Sequence, residues 1–243
     1  WLGRLVEAGA VAPLDPLLPS ALLEDLRPPA REAGTSGGRL YALPADGFCS
    51  VLLCNGSAIA APPETWDQLQ QAARAANRPE AGVYALGYVP FVETLWSAGG
   101  GVGGPGERRL DGPEALAALE FLLGLRAEGL AHPRACLSAD AGFDLFRRGT
   151  VLMTVASSQR LAETRHAAFP VLCGPVPGKS GPISRLSGTA LVVFAKRAAG
   201  DDAIAQALEF LVGACFQTAA PVASGSAATR ASLVGQAAAP AGV

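Results

Sequence analysis

Residues 143–154 read FDLFRRGTVLMT. Phe143 and Phe146 are three apart, which puts both on one face of a helix, and Gly149 ends it. Ser138 opens that helix as its N-cap. Residues 150–155 then run apolar without alternation, the pattern of a strand covered on both faces. A helix passing directly into a buried strand is the repeating step of an α/β fold.

The same pattern extends toward the N-terminus. Residues 49–54 (CSVLLC) are a second unalternating apolar run and predict another buried strand. A short strand, 38–44 (GRLYALP), ends before it at a proline. Thr65 and Gln68 form a capping box: the hydroxyl takes the N3 amide and the side-chain amide reaches back to the cap. The helix they open runs to about Asn77 with Trp66, Leu69 and Ala73 on one face. Residues 83–86 predict a short strand and 90–98 a helix closed by three glycines. A glycine-rich, flexible loop follows as far as Arg109. Asp111, as cap, and Glu114 open a helix with Leu116, Leu119, Leu123 and Arg126 at three-to-four spacing, ended by Gly129.

Toward the C-terminus, residues 169–173 predict a strand and 189–195 (TALVVFA) the strongest strand of the chain. Asp201 or Asp202 caps a final helix through about Gln217, with Ile204, Leu208, Leu211 and Val212 inward. After Thr218 the pattern dissolves into Ala, Ser, Gly and Pro, read as an irregular tail.

Composition narrows the function. The chain has 243 residues, half of them apolar, and a net charge of −2, so it lacks the clustered basic surface of a nucleic-acid binder. No apolar run reaches the roughly 18 residues of a membrane span, and no secretory signal opens the sequence. Residues 1–9 read instead as the end of a helix, with Leu2, Leu5 and Val6 on one face and Gly9 at the C-cap.

Cys49, Cys54, Cys136, Cys173 and Cys215 form no C-x-x-C pair, and only His132 and His166 can add nitrogen ligands, so no zinc site is expected. An odd count leaves at least one free thiol; buried, inert cysteine is the expectation. The sequence carries no G-x-S-x-G elbow, phosphate-binding loop or H-E-x-x-H. Residues 99–104 are glycine-rich but follow a helix and lack the lysine of a phosphate loop.

Several segments, in this order, resemble the family 1 (maltose-binding-protein-like) extracellular solute-binding proteins of bacterial ABC importers. They are 6–17 (VEAGAVAPLDPL), 38–44 (GRLYALP), 52–55 (LLCN), 62–69 (PPETWDQL), 95–101 (LWSAGGG), 143–154, 171–178 (VLCGPVPG) and 186–196 (LSGTALVVFAK). The resemblance covers roughly residues 1–217. It implies a two-lobe, type II periplasmic-binding-protein-like α/β fold, incomplete at both ends. Residues 1–48 and 186–217 fall in lobe one, 49–185 in lobe two, and 218–243 in the tail. It also implies extracytoplasmic capture of a small solute, with a sugar or polyol expected, and delivery to ABC permease subunits by hinge closure. The implied location is periplasmic or extracellular, with or without a lipid anchor. No cofactor, metal, catalytic residue, nucleic-acid partner or membrane insertion is expected. The competing reading is an α/β hydrolase or transferase whose motif lies outside this chain.

A sugar site needs aromatic faces for ring C–H groups and planar polar groups for hydroxyls. By resemblance the candidates are Asp46 and Phe48 at the first hinge and Tyr88 before the glycine-closed helix. Ser157, Ser158 and Gln159 follow the buried strand, and Ser187, Gly188 and Thr189 lie at the second hinge. Asp46 reads equally as a solvated turn carboxylate, and Ser157 or Ser158 as a plain N-cap. Gly188 would let backbone approach a ligand closely. Phe48 stands where the family often has a carboxylate, and Gln159 where it often has a stacking tryptophan. Trp66 and Phe91 are read as packing residues, Trp96 as core or cleft wall, and Arg160 as the one nearby cation.

Overall fold

The computed structural model describes residues 1–102, 110–197, 200–213, 217 and 229–233. In chain order the helices are α1 (Leu2–Glu7), α2 (Ser20–Asp25), α3 (Pro28–Ala33), α4 (Trp66–Ala76), α5 (Phe91–Ser97), α6 (Pro113–Ala127), α7 (Ala139–Arg147) and α8 (Asp201–Leu211). The strands are β1 (Thr35–Ser36), β2 (Arg39–Leu40), β3 (Ala42–Pro44), β4 (Phe48–Asn55), β5 (Tyr84–Leu86), β6 (Val151–Ser157), β7 (Val171–Gly174), β8 (Leu186–Ser187) and β9 (Ala190–Val192). The chain divides into two compact units: Trp1–Phe48 with Leu186–Val243, and Cys49–Arg185.

Unit two is built on a mixed sheet ordered β5–β6–β4–β7. β4 lies between β6 and β7, antiparallel to both, and β5 runs parallel to β6. The apolar run of β4 follows from this central position. Val51 and Leu53 pack on one face with Phe143, Phe146 and Ala156. Leu52 and Cys54 pack on the other with Leu69, Ala73, Leu86, Met153 and Val155. With both faces covered, alternation of polar and apolar residues disappears. Phe143 and Phe146 are fully buried. Truncating either to alanine costs about 3–5 kcal/mol.

The α4 cap forms as expected on one side: the Gln68 amide donates to the Thr65 hydroxyl at 3.2 Å. The Gln68 side-chain oxygen, however, takes the Glu64 N–H at 2.8 Å rather than that of the cap residue. Trp66 stacks on Phe121 at 4.4 Å.

α6 departs from the sequence expectation. Its N-cap is Gly112, with Pro113 in the first turn, and no side chain caps it. Leu116, Leu119 and Leu123 are exposed, at 57%, 45% and 62%. The packed face is instead Ala115 and Ala118, against Leu95 and Phe91 of α5, with Leu125, Phe121 and Leu122 on the main core of unit two. Small residues let the two helices come close, and that contact selects the face.

In unit one, β3 and β9 pair antiparallel, with Ala42 opposite Val192 and Pro44 opposite Ala190. β9 is only three residues long, shorter than the strand expected at 189–195: beyond it, Phe194 makes a single bridge to Val11 and is exposed. The core gathers Leu14, Leu18, Leu22, Leu26, Leu40, Leu43, Val193, Leu208 and Val212. Of the residues expected inward on the last helix, Leu208 and Val212 are buried, whereas Ile204 and Leu211 are partly exposed. Gly200, not an aspartate, is the N-cap of α8, and Asp201 pairs with Arg197. The flexible loop expected to reach Arg109 lies, over 103–109, outside the described residues.

Within the segment read as an irregular tail, residues 229–233 are docked on unit one. The Thr229 hydroxyl donates to the Pro44 carbonyl at 2.9 Å, and its amide donates to the Gln217 side-chain oxygen at 2.8 Å. Arg230 pairs with Asp25 at 2.7 Å, and Leu233 is buried. Residues 218–228 and 234–243 lie outside the described residues.

Candidate functional site

Unit one holds a cavity of about 250 Å3 lined by, among others, Arg27, Pro44, Asp46, Ser187, Gly188 and Thr189. The end of β3 and the start of β9 bring Pro44 and Asp46 to the 187–189 segment, and Arg27 joins them from the N-cap of α3. The Ala45 amide donates to the Thr189 carbonyl at 2.8 Å, and the Thr189 amide donates to Asp46 Oδ1 at 2.6 Å. Asp46 thus fixes the turn through Oδ1 and lines the cavity. Gly188 is required by the protein itself: a Cβ there would stand 2.3 Å from the Asp46 carbonyl oxygen. That contact alone is enough to require a glycine. Phe48 begins β4 and is half-buried; it is not part of the cavity lining.

In unit two, Tyr88 follows β5 and its backbone is held twice. Its N–H donates to Thr154 Oγ1 at 3.1 Å and its carbonyl accepts from Val155 at 2.8 Å. The phenol titrates above its ordinary value of 10.0, first because of burial and then because of the Glu93 charge, with Arg185 opposing. Ser157 caps the 3-10 helix Ser158–His166, accepting from the Gln159 amide at 3.3 Å. Ser158 Oγ accepts from the Cys49 amide at 3.2 Å and so anchors the start of β4. Gln159 is half-buried on the first turn. Arg160 is committed elsewhere: it pairs with Asp140 at 2.6 Å and Glu163 at 3.0 Å and lies over the Phe143 ring at 4.0 Å.

Sequence reasoning did not single out the group around Glu93. This α5 carboxylate is 1% exposed. Its Oε1 accepts from the Ser50 hydroxyl at 2.6 Å and lies 3.6 Å from Arg185 Nε. The Ser50 amide donates to the Arg185 carbonyl at 3.0 Å. One signal was available: Ser50 interrupts an apolar buried run, and a buried hydroxyl needs a partner.

Among the described residues no cluster of His, Cys, Asp and Glu can hold a metal ion. Cys49, Cys54, Cys136 and Cys173 are free thiols. Burial pushes Cys54 up to about 12, which keeps it protonated and unreactive. Cys173, expected to be buried, is exposed on β7, at the end of the sheet order. Cys215 lies outside the described residues. No helix among the described residues is long and apolar enough to cross a membrane.

The family of bacterial extracellular solute-binding proteins matches this chain over residues 1–234. The chain belongs to that family. A maltotriose-binding protein of Pyrococcus abyssi is 29% identical over 130 residues, which are 50% of this chain and 28% of the relative. The GacH receptor of Streptomyces glaucescens superposes with a TM-score of 0.80 at 22% identity, covering 96% of this chain and 64% of that one. UgpB of Mycobacterium tuberculosis, solved with glycerophosphocholine, gives 0.81 at 21%, covering 98% and 66%. The chain therefore has the type II binding-protein fold and spans no more than about two thirds of the length of these relatives.

Proposed function

We propose that this solute-binding protein captures a small neutral solute, a sugar or polyol, outside the cytoplasmic membrane for delivery to ABC permease subunits. The observation that carries the reading is the cavity of unit one, where Asp46, Ser187 and Thr189 present carboxylate, hydroxyl and backbone groups beside apolar lining. Such a mixture suits a polyhydroxylated solute, which offers donors and acceptors on an apolar ring. The names of the relatives agree: maltotriose for the Pyrococcus protein, maltose for a Thermotoga maritima one, and tagatose for one from Thermotoga lettingae. The protein acts as a binding protein and not as an enzyme, in keeping with its family. It works in the periplasm or at the cell surface, free or lipid-anchored.

Calorimetry with maltose, maltotriose, tagatose, glycerol and an amino-acid control tests this. A neutral sugar binds, and Asp46→Ala weakens it by about 1.5–3 kcal/mol, the worth of hydrogen bonds to a charged group. That is roughly 10- to 150-fold in affinity. Unchanged affinity removes Asp46 from the site, and tight binding of the amino acid alone overturns the sugar reading.

A further inference from the structure

Burying a carboxylate is costly, and a buried polar atom without a partner calls for an explanation. Glu93 meets both conditions. Its Oε1 is held by Ser50, but among the described residues Oε2 has no hydrogen-bond partner, and it is buried. The cation that faces it is Arg185, with Nε 3.6 Å from Oε1: an ion pair, too long for a hydrogen bond.

We infer that Arg185 is a solute-recognising side chain and that Glu93 positions it, the pair selecting a neutral, oxygen-rich solute. This rests on the solute-capture reading. Ser50 carries the geometry. Its amide fixes the Arg185 backbone and its hydroxyl fixes the Glu93 carboxylate, so one residue sets the guanidinium against its counter-charge. With Nε facing Glu93, the two terminal nitrogens of the guanidinium make no hydrogen bond among the described residues, on a side chain 46% exposed. They form a planar edge of donors that matches two adjacent acceptor oxygens.

Tyr88 shares this neighbourhood, since its phenol responds to the charges of both Glu93 and Arg185. A phenol in the same neighbourhood adds an aromatic group of the kind that covers sugar C–H faces. The charge balance gives the selectivity. Glu93 offsets Arg185, so an anionic solute would approach a cation whose field is already matched by a carboxylate a few ångströms behind it. Neutral oxygens suffer no such opposition.

The test is calorimetry on the full chain with maltose and tagatose as neutral probes and glucose 6-phosphate and glycerol 3-phosphate as anionic ones. Arg185→Met weakens the neutral sugar by about tenfold or more, and Arg185→Lys, lacking the planar fork, restores it only in part. Glu93→Gln keeps the shape but frees the charge of Arg185. It lowers neutral-sugar affinity and raises that of the phosphate, inverting the ratio, which a purely structural defect would not do. Ser50→Ala, which loosens the same pair without changing either charge, is the second variant and shifts the ratio in the same direction. Sugar binding unchanged within about twofold in Arg185→Met overturns this inference alone, as does a Glu93→Gln change equal for both probe classes. A parent protein that binds no probe overturns the capture reading together with this one.

Discussion

The buried carboxylate of Glu93 accepts a 2.6 Å hydrogen bond from the Ser50 hydroxyl, joining the first turn of α5 to β4. It is the one hydrogen bond found for that carboxylate among the described residues, because Oε2 has none. Ser50→Ala leaves a buried charge with only a long ion pair. The expected cost is about 1–3 kcal/mol, read as a lower urea midpoint at unchanged m-value. Glu93→Gln, which removes the charge but keeps an acceptor for Ser50, costs less. Equal stability of Ser50→Ala and parent would show that water satisfies Glu93 in its place.

Gly188 offers a second test. A Cβ there would meet the Asp46 carbonyl oxygen at 2.3 Å, backbone against backbone, with no flexible side chain to give way. Gly188→Ala therefore forces the Asp46–Thr189 pairing apart and costs about 1–3 kcal/mol, as overpacking does. Gly181 has nothing within 4 Å of a built Cβ, so Gly181→Ala serves as a control that leaves the thermal midpoint in place. A Gly188→Ala variant as stable as that control would mean the turn relaxes freely.

The parts legible in the sequence were those where local pattern and burial agree. The unalternating run of β4 and the Phe143/Phe146 face of α7 specify themselves, because a central strand and a two-phenylalanine stripe each have one way to be covered. α6 was not legible. Ala115, Leu116, Ala117, Ala118, Leu119, Phe121, Leu122 and Leu123 make it apolar nearly all round, so periodicity chooses no face. Contact with α5 decides instead. The Glu93 group was hidden for a related reason: a glutamate in a short amphipathic helix reads as its solvent face, and only the strand partner Ser50 turns it inward. Asp46 and the Ser187–Gly188–Thr189 run, far apart in sequence, line one cavity because β3 and β9 pair.

The exposed leucines of α6 carry a third prediction. Leu116 and Leu123 bury little, so Leu116→Gln with Leu123→Gln changes stability by no more than about 0.5 kcal/mol. Ala118→Leu, on the packed face at 0% exposure, overfills the contact with Leu95 and costs about 1–3 kcal/mol. Parallel thermal melts rank the variants. A large loss in the double glutamine variant would put the leucine face in the interior and reverse the description of α6.

Acid should release the docked segment at residues 229–233. Asp25 accepts from the Ser232 hydroxyl at 2.5 Å, the Ser232 amide at 2.8 Å and Arg230 at 2.7 Å. These bonds, those from Ser232 first, hold its carboxyl below the ordinary value of 3.8. A depressed folded-state pKa means the unfolded chain takes up the proton first as pH falls. The contribution is therefore fully present above the ordinary value and is lost as pH drops through the folded-state value beneath it. Asp25→Asn removes the titrating group, and the measurement is the difference in thermal midpoint between parent and this variant across that range. The difference favours the parent near neutral pH and shrinks toward zero once Asp25 is protonated in both states. A difference independent of pH would show that Asp25 holds Ser232 and Arg230 through shape rather than charge.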